Sequence, residues 1–579
     1  MEKIDINSLL ENNFSGFSNY NKLVKFLIVK IITIIMRVNK INEFIEKHKS
    51  KRGIEFIDDL FETLDFSYLI SDKDKNRIPS EGKLIIVANH PLGGLDGLAL
   101  VKMIHEVRKD VKIVVNNVLM HIKNLDNFFL PYDVFNKTLA KNSLETIQKC
   151  LENEEAIIFF PAGEVSRYKF NGIKDKKWSS GAIKLAEKYT APILPVFIKG
   201  RNSILFYTVS SLLKSLSTVL LPREIFNKKG KSITIKIGNP IIKDAFRNFK
   251  INYNEKAKLL RKHTFLLKRN TDSNLLPTEK NIIHPVDPRE IKLELSKSDI
   301  LGFANDSKII YLVEGDKTSV IREIARLREL TFRKVGEGTG NKLDIDKYDN
   351  HFKHIVLWDE KNLEIVGSYR IGLCREIVRS IGIEGLYNST EFNFSPEFRN
   401  ILDFSIELGR SFIQQKYWKS NALDYLWQGI GAYLNKTENV RFMFGAVSIS
   451  NTYSDFAKSL IVSFYNKWHK DTRNLAQSKN RFIISKPVAI EIEGILNSQK
   501  YNDDFIILKK ALKNIGYSIP VLFRRYSELC EVEGVKFMDF GVDLAFSSVV
   551  DGLILLDLSK LKESSKERYY FSKSLVNAD

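Results

Sequence analysis

The run Leu84-Ile85-Ile86-Val87-Ala88-Asn89-His90-Pro91-Leu92-Gly93-Gly94-Leu95-Asp96-Gly97 decides the reading of the amino-terminal half. Leu84–Ala88 is unbroken apolar sequence of strand length, the pattern of a buried strand. Gly93, Gly94 and Gly97 let the chain turn sharply and approach a ligand closely. His90 with Asp96 supplies the minimum for acyl transfer to a hydroxyl: the imidazole takes the proton, and the carboxylate fixes its tautomer and steadies the imidazolium. A polar turn after a strand is the plainer alternative.

A second run narrows the choice. Ala156-Ile157-Ile158-Phe159-Phe160 reads as another strand, and Pro161-Ala162-Gly163-Glu164-Val165-Ser166-Arg167 follows it. A third strand, Ile193-Leu194-Pro195-Val196-Phe197-Ile198, comes after a helical stretch. This order resembles the lysophospholipid acyltransferase family over about residues 60–245. Five residues rather than four separate His90 from Asp96, and Ala162 stands where many members carry Glu. The resemblance implies that His90 deprotonates an acceptor hydroxyl and Asp96 orients His90. It also implies that backbone amides around Gly93, with Gly94 beside it, or around Gly163 hold the oxyanion. In relatives that act on phospholipids the Arg167 motif is associated with the acceptor's phosphate. Here Glu164 and Arg167 are expected to read a zwitterionic head, carboxylate on Arg167 and ammonium on Glu164. A salt bridge between those two side chains is the alternative.

A chain of 579 residues exceeds one core, so two or more domains are expected, and 44% hydrophobic residues suffice to fill them. Cys150, Cys374 and Cys530 lie far apart and read as free thiols of a reducing compartment. His351 and His354 share a helix-like spacing but lack companions, so no metal site is expected. The net charge is +19, and residues 1–290 hold 48 Lys and Arg against 32 Asp and Glu. The excess lies in the half with the His90 motif. No nucleic-acid-binding signature accompanies it, so anionic lipid and an acidic carrier protein are the expected partners, and nucleic acid is not.

No cleavable signal peptide is read. Residues 23–38 are apolar but broken by Lys25, Lys30 and Arg37, which suits a helix lying in a membrane interface better than a span. Packing on its own domain is the alternative. Residues 204–221 read as a second interfacial or substrate-lining helix. Repeating strand and helix patterns over about 50–245 argue an α/β layer. The polar, Lys- and Asn-rich stretch 250–295, with Pro277, Pro285 and Pro288, reads as the linker. The expected organisation is an amphipathic membrane-interface segment at 1–50, an acyltransferase-like α/β domain at 51–285, and a second α/β domain at 286–579.

In that second domain Ile309-Ile310-Tyr311-Leu312-Val313 reads as a strand, residues 321–332 as an amphipathic helix, and Gly336-Glu337-Gly338-Thr339-Gly340 as a mobile loop. Phe404 to Ser411 is read as running on into a helix. Leu327-Arg328 with Phe332, the Asp344/Asp346/Asp349 cluster, Gly367-Ser368-Tyr369-Arg370, Glu407-Leu408-Gly409-Arg410-Ser411, Phe444-Gly445-Ala446-Val447-Ser448 and Asp543…Phe546…Asp551-Gly552 occur in order. Together they resemble the amino-acid N-acyltransferase branch of the GNAT-like superfamily, over about 305–560. The usual GNAT phosphate loop is absent, which agrees with a carrier-protein donor. Glu407 is the candidate for accepting the amine proton, directly or through water, with an N-capping or structural role as the alternative. Arg328 and Arg410 would bind donor phosphate or the amino-acid carboxylate. The aspartates are expected to recognise a cationic amino acid such as ornithine, with a solvated loop as the alternative. Arg370 serves the site or pairs with a core carboxylate.

Joined, the halves resemble bifunctional ornithine-lipid synthases. The second half would place a 3-hydroxyacyl chain on the α-amine of ornithine, and the first would esterify the 3-hydroxyl. Fusion raises the effective concentration of the intermediate. No cofactor is expected. The donor would be acyl carrier protein, or coenzyme A, and the enzyme would work at the cytoplasmic face of the inner membrane. Alternatives are an aminolipid of glycine, serine or lysine, a lysophosphatidic acid acyltransferase fused to a small-molecule N-acyltransferase, and a non-enzymatic lytic protein.

Overall fold

A computed structural model describes residues 6–570 apart from 14–16, 117–118, 121, 132–136, 170–171, 213–219, 248, 270–274, 305, 316 and 545. The chain forms two compact units, Met1–His284 and Pro285–Asp579.

The first unit is built on β1 (Ser67–Leu69), β2 (Leu84–Ala88), β3 (Val111–Val115), β4 (Phe129–Pro131), β5 (Ala156–Phe159), the small hairpin of β6 (Arg167–Lys169) and β7 (Gly172–Lys174), β8 (Ile193–Lys199) and β9 (Ser232–Ile237). The main sheet runs in the order β1-β9-β8-β2-β5-β3-β4 and is parallel except where β9 meets β8. Its middle strands are apolar without a break because they are covered on both sides. Leu84, Ile86 and Ala88 of β2 enter one core, while Ile85 and Val87 enter the other. The turn after β2 feeds the helix Gly94–His105, and Gly93 sits at φ 95 to allow it. The helix Lys22–Met36 is capped by the Asn21 side chain and buries no residue fully. The helix Ile204–Leu212 covers the start of 204–221; residues 213–219 lie outside the described residues. No described helix is long and apolar enough to cross a membrane.

Most of the stretch read as a linker is structured. Tyr253–Leu266 is a helix, capped by Asn252 and Glu255, that buries Ala257 and Leu260 in the first unit's core. Four buried positions in fourteen are too few to stand out among its lysines and asparagines. Pro288–Leu295 is also helical and sends Ile291 and Leu295 into the second unit.

The second unit has one large sheet, β10 (Asp299–Ala304), β11 (Lys308–Val313), β12 (Lys353–Asp359), β13 (Glu364–Leu373), β15 (Ser405–Ile413), β16 (Phe442–Ile449), β19 (Val549–Asp557) and β18 (Val535–Asp543), in that order. A two-stranded ribbon pairs β14 (Phe392–Phe394) with β17 (Ala476–Ser478). Residues 405–411 are strand rather than helix: Ser405, Ile406 and Glu407 pair with β16, and Leu408 and Gly409 pair with β13. Every pairing in the large sheet is antiparallel except β15 with β16. That parallel ladder stops after Glu407 and Phe444, although β15 continues to Ile413 and β16 to Ile449. Arg410, at φ 50 in a bulge, turns β15 away, and the sheet opens. The loop at 336–340 is held, not loose: Glu329 accepts hydrogen bonds from Thr339 N, Thr339 Oγ1 and Gly340 N.

Candidate functional site

The first site is the turn between β2 and the helix Gly94–His105. Asn89 docks the end of β2 onto β8: its Nδ2 donates to Ile198 O at 2.9 Å, and Ile198 N donates to its Oδ1 at 2.7 Å. Asn202 Nδ2 donates to Pro91 O at 3.1 Å. The His90 carbonyl accepts from Ser166 N at 2.7 Å, so the two motif loops are stitched together at His90. Ser166 Oγ is in turn bonded to Asp175, which also accepts from Trp178 Nε1 at 2.9 Å.

His90 Nδ1 lies 3.2 Å from Asp96 Oδ2, and the imidazole stacks on Phe160 with ring centres 3.9 Å apart. The same Asp96 oxygen accepts from Leu92 N at 2.7 Å and Gly93 N at 3.2 Å. Burial pushes the Asp96 carboxyl up, and His90 with the two amides opposes that rise. Asp96 thus holds the turn and stands at Nδ1 of His90.

This geometry corrects the expected oxyanion donors. The Gly93 amide is spent on Asp96, and the Gly163 amide donates to Phe160 O at 2.9 Å. Gly94 opens the twelve-residue helix, where N–H groups have no intrahelical acceptor. Gly163, at φ 65, faces open space: a Cβ there would meet nothing within 4 Å. Glu164 and Arg167 lie 3.5 Å apart, the salt-bridge alternative, with Lys176 at 3.8 Å from Glu164.

The second site draws Arg328, the segment 344–349, Arg370, Tyr387 and Arg410 into one network. Arg328, fully buried on the helix Thr318–Val335, makes a two-pronged bond to Asp349 (Nη1–Oδ1 2.9 Å, Nη2–Oδ2 2.8 Å) and donates from Nε to Asp344 O at 3.1 Å. Arg370 Nη1 donates to Asp346 Oδ1 at 2.7 Å and Asp349 Oδ1 at 3.2 Å. Arg410 Nη2 lies 3.8 Å from Asp344 and 3.7 Å from Asp346, and donates to Tyr387 Oη at 3.2 Å. Burial works against ionising Asp349, but Arg328 and Arg370 override it and hold the carboxyl well below the usual range. His354 shares the site; burial pushes it down to about 3, so it stays neutral.

The aspartates were expected to sit on an acidic surface and meet a cationic amino acid. Asp344 and Asp349 are instead buried, and three arginines neutralise the cluster. Arg370 does pair with core carboxylates, yet its Nε and Nη2 have no partner among the described residues, and its guanidinium lies over the rings of Phe352 and Tyr387. Glu407 is committed as well. Its Oε1 accepts from Asn388 N (2.7 Å) and Asn388 Nδ2 (2.6 Å), and its Oε2 from Tyr387 N (3.1 Å). Burial lifts it to about 7. It shapes the 387–388 turn, the structural alternative to a proton acceptor.

Comparison with known proteins agrees with both halves. Residues 20–274 match the acyltransferase family, and residues 327–428 match the acetyltransferase (GNAT) domain. A glycine N(alpha)-acyltransferase of Phocaeicola vulgatus is 31% identical over 309 residues, 50% of this chain and 92% of that protein. A lyso-glycine lipid O-acyltransferase of Bacteroides thetaiotaomicron is 30% identical over 245 residues, 41% of this chain and 88% of that protein. An L-ornithine N(alpha)-acyltransferase of Rhizobium meliloti is 26% identical over 273 residues, 46% of this chain and 84% of that protein. With residues 20–274 matching the acyltransferase family and residues 327–428 the GNAT domain, the chain belongs to the aminolipid acyltransferases, carrying an O-acyltransferase domain followed by an N-acyltransferase domain.

Proposed function

We propose that this enzyme makes a diacyl aminolipid in two steps, with glycine as the head group. The second unit joins a 3-hydroxyacyl chain to the α-amine of the amino acid. The first then esterifies the 3-hydroxyl. One observation carries the head group: Asp344, Asp346 and Asp349, the reason in the sequence for a cationic amino acid, are already paired with Arg328, Arg370 and Arg410. The idle Nε and Nη2 of Arg370 suit the carboxylate that every amino acid carries. Ornithine remains the competing head group, since relatives acting on it match this chain too. The purified chain, given a 3-hydroxyacyl carrier-protein thioester and equimolar glycine and ornithine, is expected to form mainly N-acylglycine by mass spectrometry. Mainly N-acylornithine would restore the cationic head group.

In the O-acylation, His90 Nε2 takes the hydroxyl proton and the oxygen attacks the thioester carbonyl. The C–O bond forms, the C–S bond breaks, and the thiolate recovers the proton from the imidazolium. Asp96 keeps Nδ1 protonated throughout. The opening between β15 and β16 suits the amide-bearing arm of a thioester donor, because it leaves backbone groups unpaired on facing strands. A carrier-protein donor fits the +19 charge, since such carriers are acidic.

A lipid surface is the proposed partner of the first unit. Leu23 (70% exposed), Phe26 (61%) and Ile34 (67%) project from the helix Lys22–Met36, and Ile204 (86%) from the helix Ile204–Leu212, with Lys22, Lys25 and Lys30 beside them. Ile35, Phe206 and Tyr207 pack around Val165 of the second motif, so the apolar face adjoins the active site. This supports an enzyme that works at a membrane surface. Each such side chain gains about 1.5–3 kcal/mol on full burial. Exchanging Leu23, Phe26 and Ile34 for serine is expected to weaken co-sedimentation with phosphatidylglycerol vesicles by at least about a hundredfold. Undiminished binding would remove the helix from the interface.

A further inference from the structure

Beyond the opening of the sheet, β16 stays paired with β19, and Asp551 of β19 stands opposite Ser448 of β16 and Gly541 of β18. Asp543 of β18 is the diagonal neighbour on the same face, since side chains two apart share a face. Asp551 is only 5% exposed, and its Oδ1 has no hydrogen-bond partner among the described residues. A buried carboxylate oxygen left this way costs stability unless a ligand completes it.

The surroundings indicate the sign of that ligand. Glu337, just past the helix Thr318–Val335, acts on Asp551, as do Asp543 and Glu391; Arg410 is the cation among them, and Ser448 bonds to the carboxylate. Tyr387 ties the group together, accepting from Arg410 and reaching Asp543 Oδ2 at 3.5 Å. Burial, then the neighbouring carboxylates, push Asp551 up to about 7, and burial with Asp551 pushes Glu337 to about 8. A like-charged, water-poor cluster gains by taking in a proton or an ammonium group.

We propose that Asp551 receives the acceptor: its unengaged oxygen holds the ammonium of the incoming amino acid beside the opening between β15 and β16, then takes its proton. This rests on the second unit's being an amino-acid N-acyltransferase, and it gives Asp551 the role that the sequence suggested for Glu407. The ammonium passes one proton to Asp551. The free amine attacks the thioester carbonyl, the C–N bond forms and the C–S bond breaks. The nitrogen's second proton goes to the departing thiolate, and Asp551 releases its own to water. Arg370 on β13 and Arg410 on β15, across the opening from β16 and β19, balance the amino acid's carboxylate.

The test uses the whole chain, a carrier-protein thioester and the amino acid that the wild type accepts. Asp551→Asn is expected to lower kcat/KM for the amine about 10²–10⁴-fold with the donor KM unchanged. The wild-type rate is expected to fall as pH drops below about 7, and the variant is expected to lack that limb. The variant recovers as pH approaches the amine's own pKa, where the nucleophile arrives unprotonated; a folding defect would not recover. Asp551→Glu is expected to keep part of the rate and the limb. A variant with wild-type rate and pH profile overturns the proposal, as does a loss that high pH and glutamate both fail to restore. A change confined to KM for ornithine, with kcat and the limb intact, would make Asp551 a side-chain reader and also overturn it. If the wild type N-acylates no amino acid, the function proposed for the unit falls first, and this role with it.

Discussion

His90→Ala is expected to cut O-acyl transfer by about 10²–10⁴-fold and leave N-acyl transfer intact. Purified variant supplied with amino acid and thioester then accumulates the mono-acyl product. The size follows from the geometry. Asp96 is fully buried and its Oδ2 is shared among His90 and the Leu92 and Gly93 amides, so without the imidazole no other group described at the turn can take the hydroxyl proton. The turn itself survives, because the two amides still hold Asp96, Asn89 still grips Ile198, and Ser166 bonds to the backbone of residue 90. Asp96→Asn is a harsher change to structure and a poorer test. Equal loss of both activities on His90→Ala would mean a failure of folding, and no loss would move the acyl-transfer site elsewhere.

Arg328→Met is expected to cost about 3–5 kcal/mol, the usual penalty for stranding one member of a buried ion pair. That is a large share of a domain's total stability. Asp349 would lose its two-pronged partner, and the Asp344 carbonyl its donor. The pH dependence has a definite sign. In the wild type Asp349's carboxyl is held below its unfolded value, so its contribution is present above the ordinary carboxylate range and is lost as pH falls toward the depressed folded value. In the variant burial dominates and the folded value rises, so the gap between variant and wild type narrows toward acid. Urea unfolding at neutral and acid pH reads both effects. Arg328→Met with Asp349→Asn should regain part of the loss; a variant as stable as wild type at neutral pH would contradict the pairing.

The first site was legible because its chemistry is contiguous. β2, His90 and Asp96 fall within thirteen residues, and unbroken apolar runs at β2, β5 and β8 announce a sheet covered on both faces. Where the reading failed there, the missing information was a partner far away. Nothing local says that the Gly93 amide is spent on Asp96, or that Asn89 reaches a residue 109 positions on. In the second unit the right residues stood out, but their roles depended on distant contacts. Asp344, Asp346 and Asp349 look exposed until Arg328, Arg370 and Arg410 are brought from three separate elements. Glu407 looks like a base until the 387–388 turn closes over it. Asp551 drew attention only as part of a family pattern, because an unsatisfied oxygen is a property of packing and not of order along the chain.

The chain is proposed to perform both acylations, N before O. Lipid mass spectrometry of a host without aminolipids, expressing the whole chain and supplied with 3-hydroxyacyl carrier protein, tests it most directly. A diacyl aminolipid whose inner chain is amide-linked and whose outer chain is an ester on the 3-hydroxyl is the expected result. No new aminolipid, with the protein present in full, would contradict it.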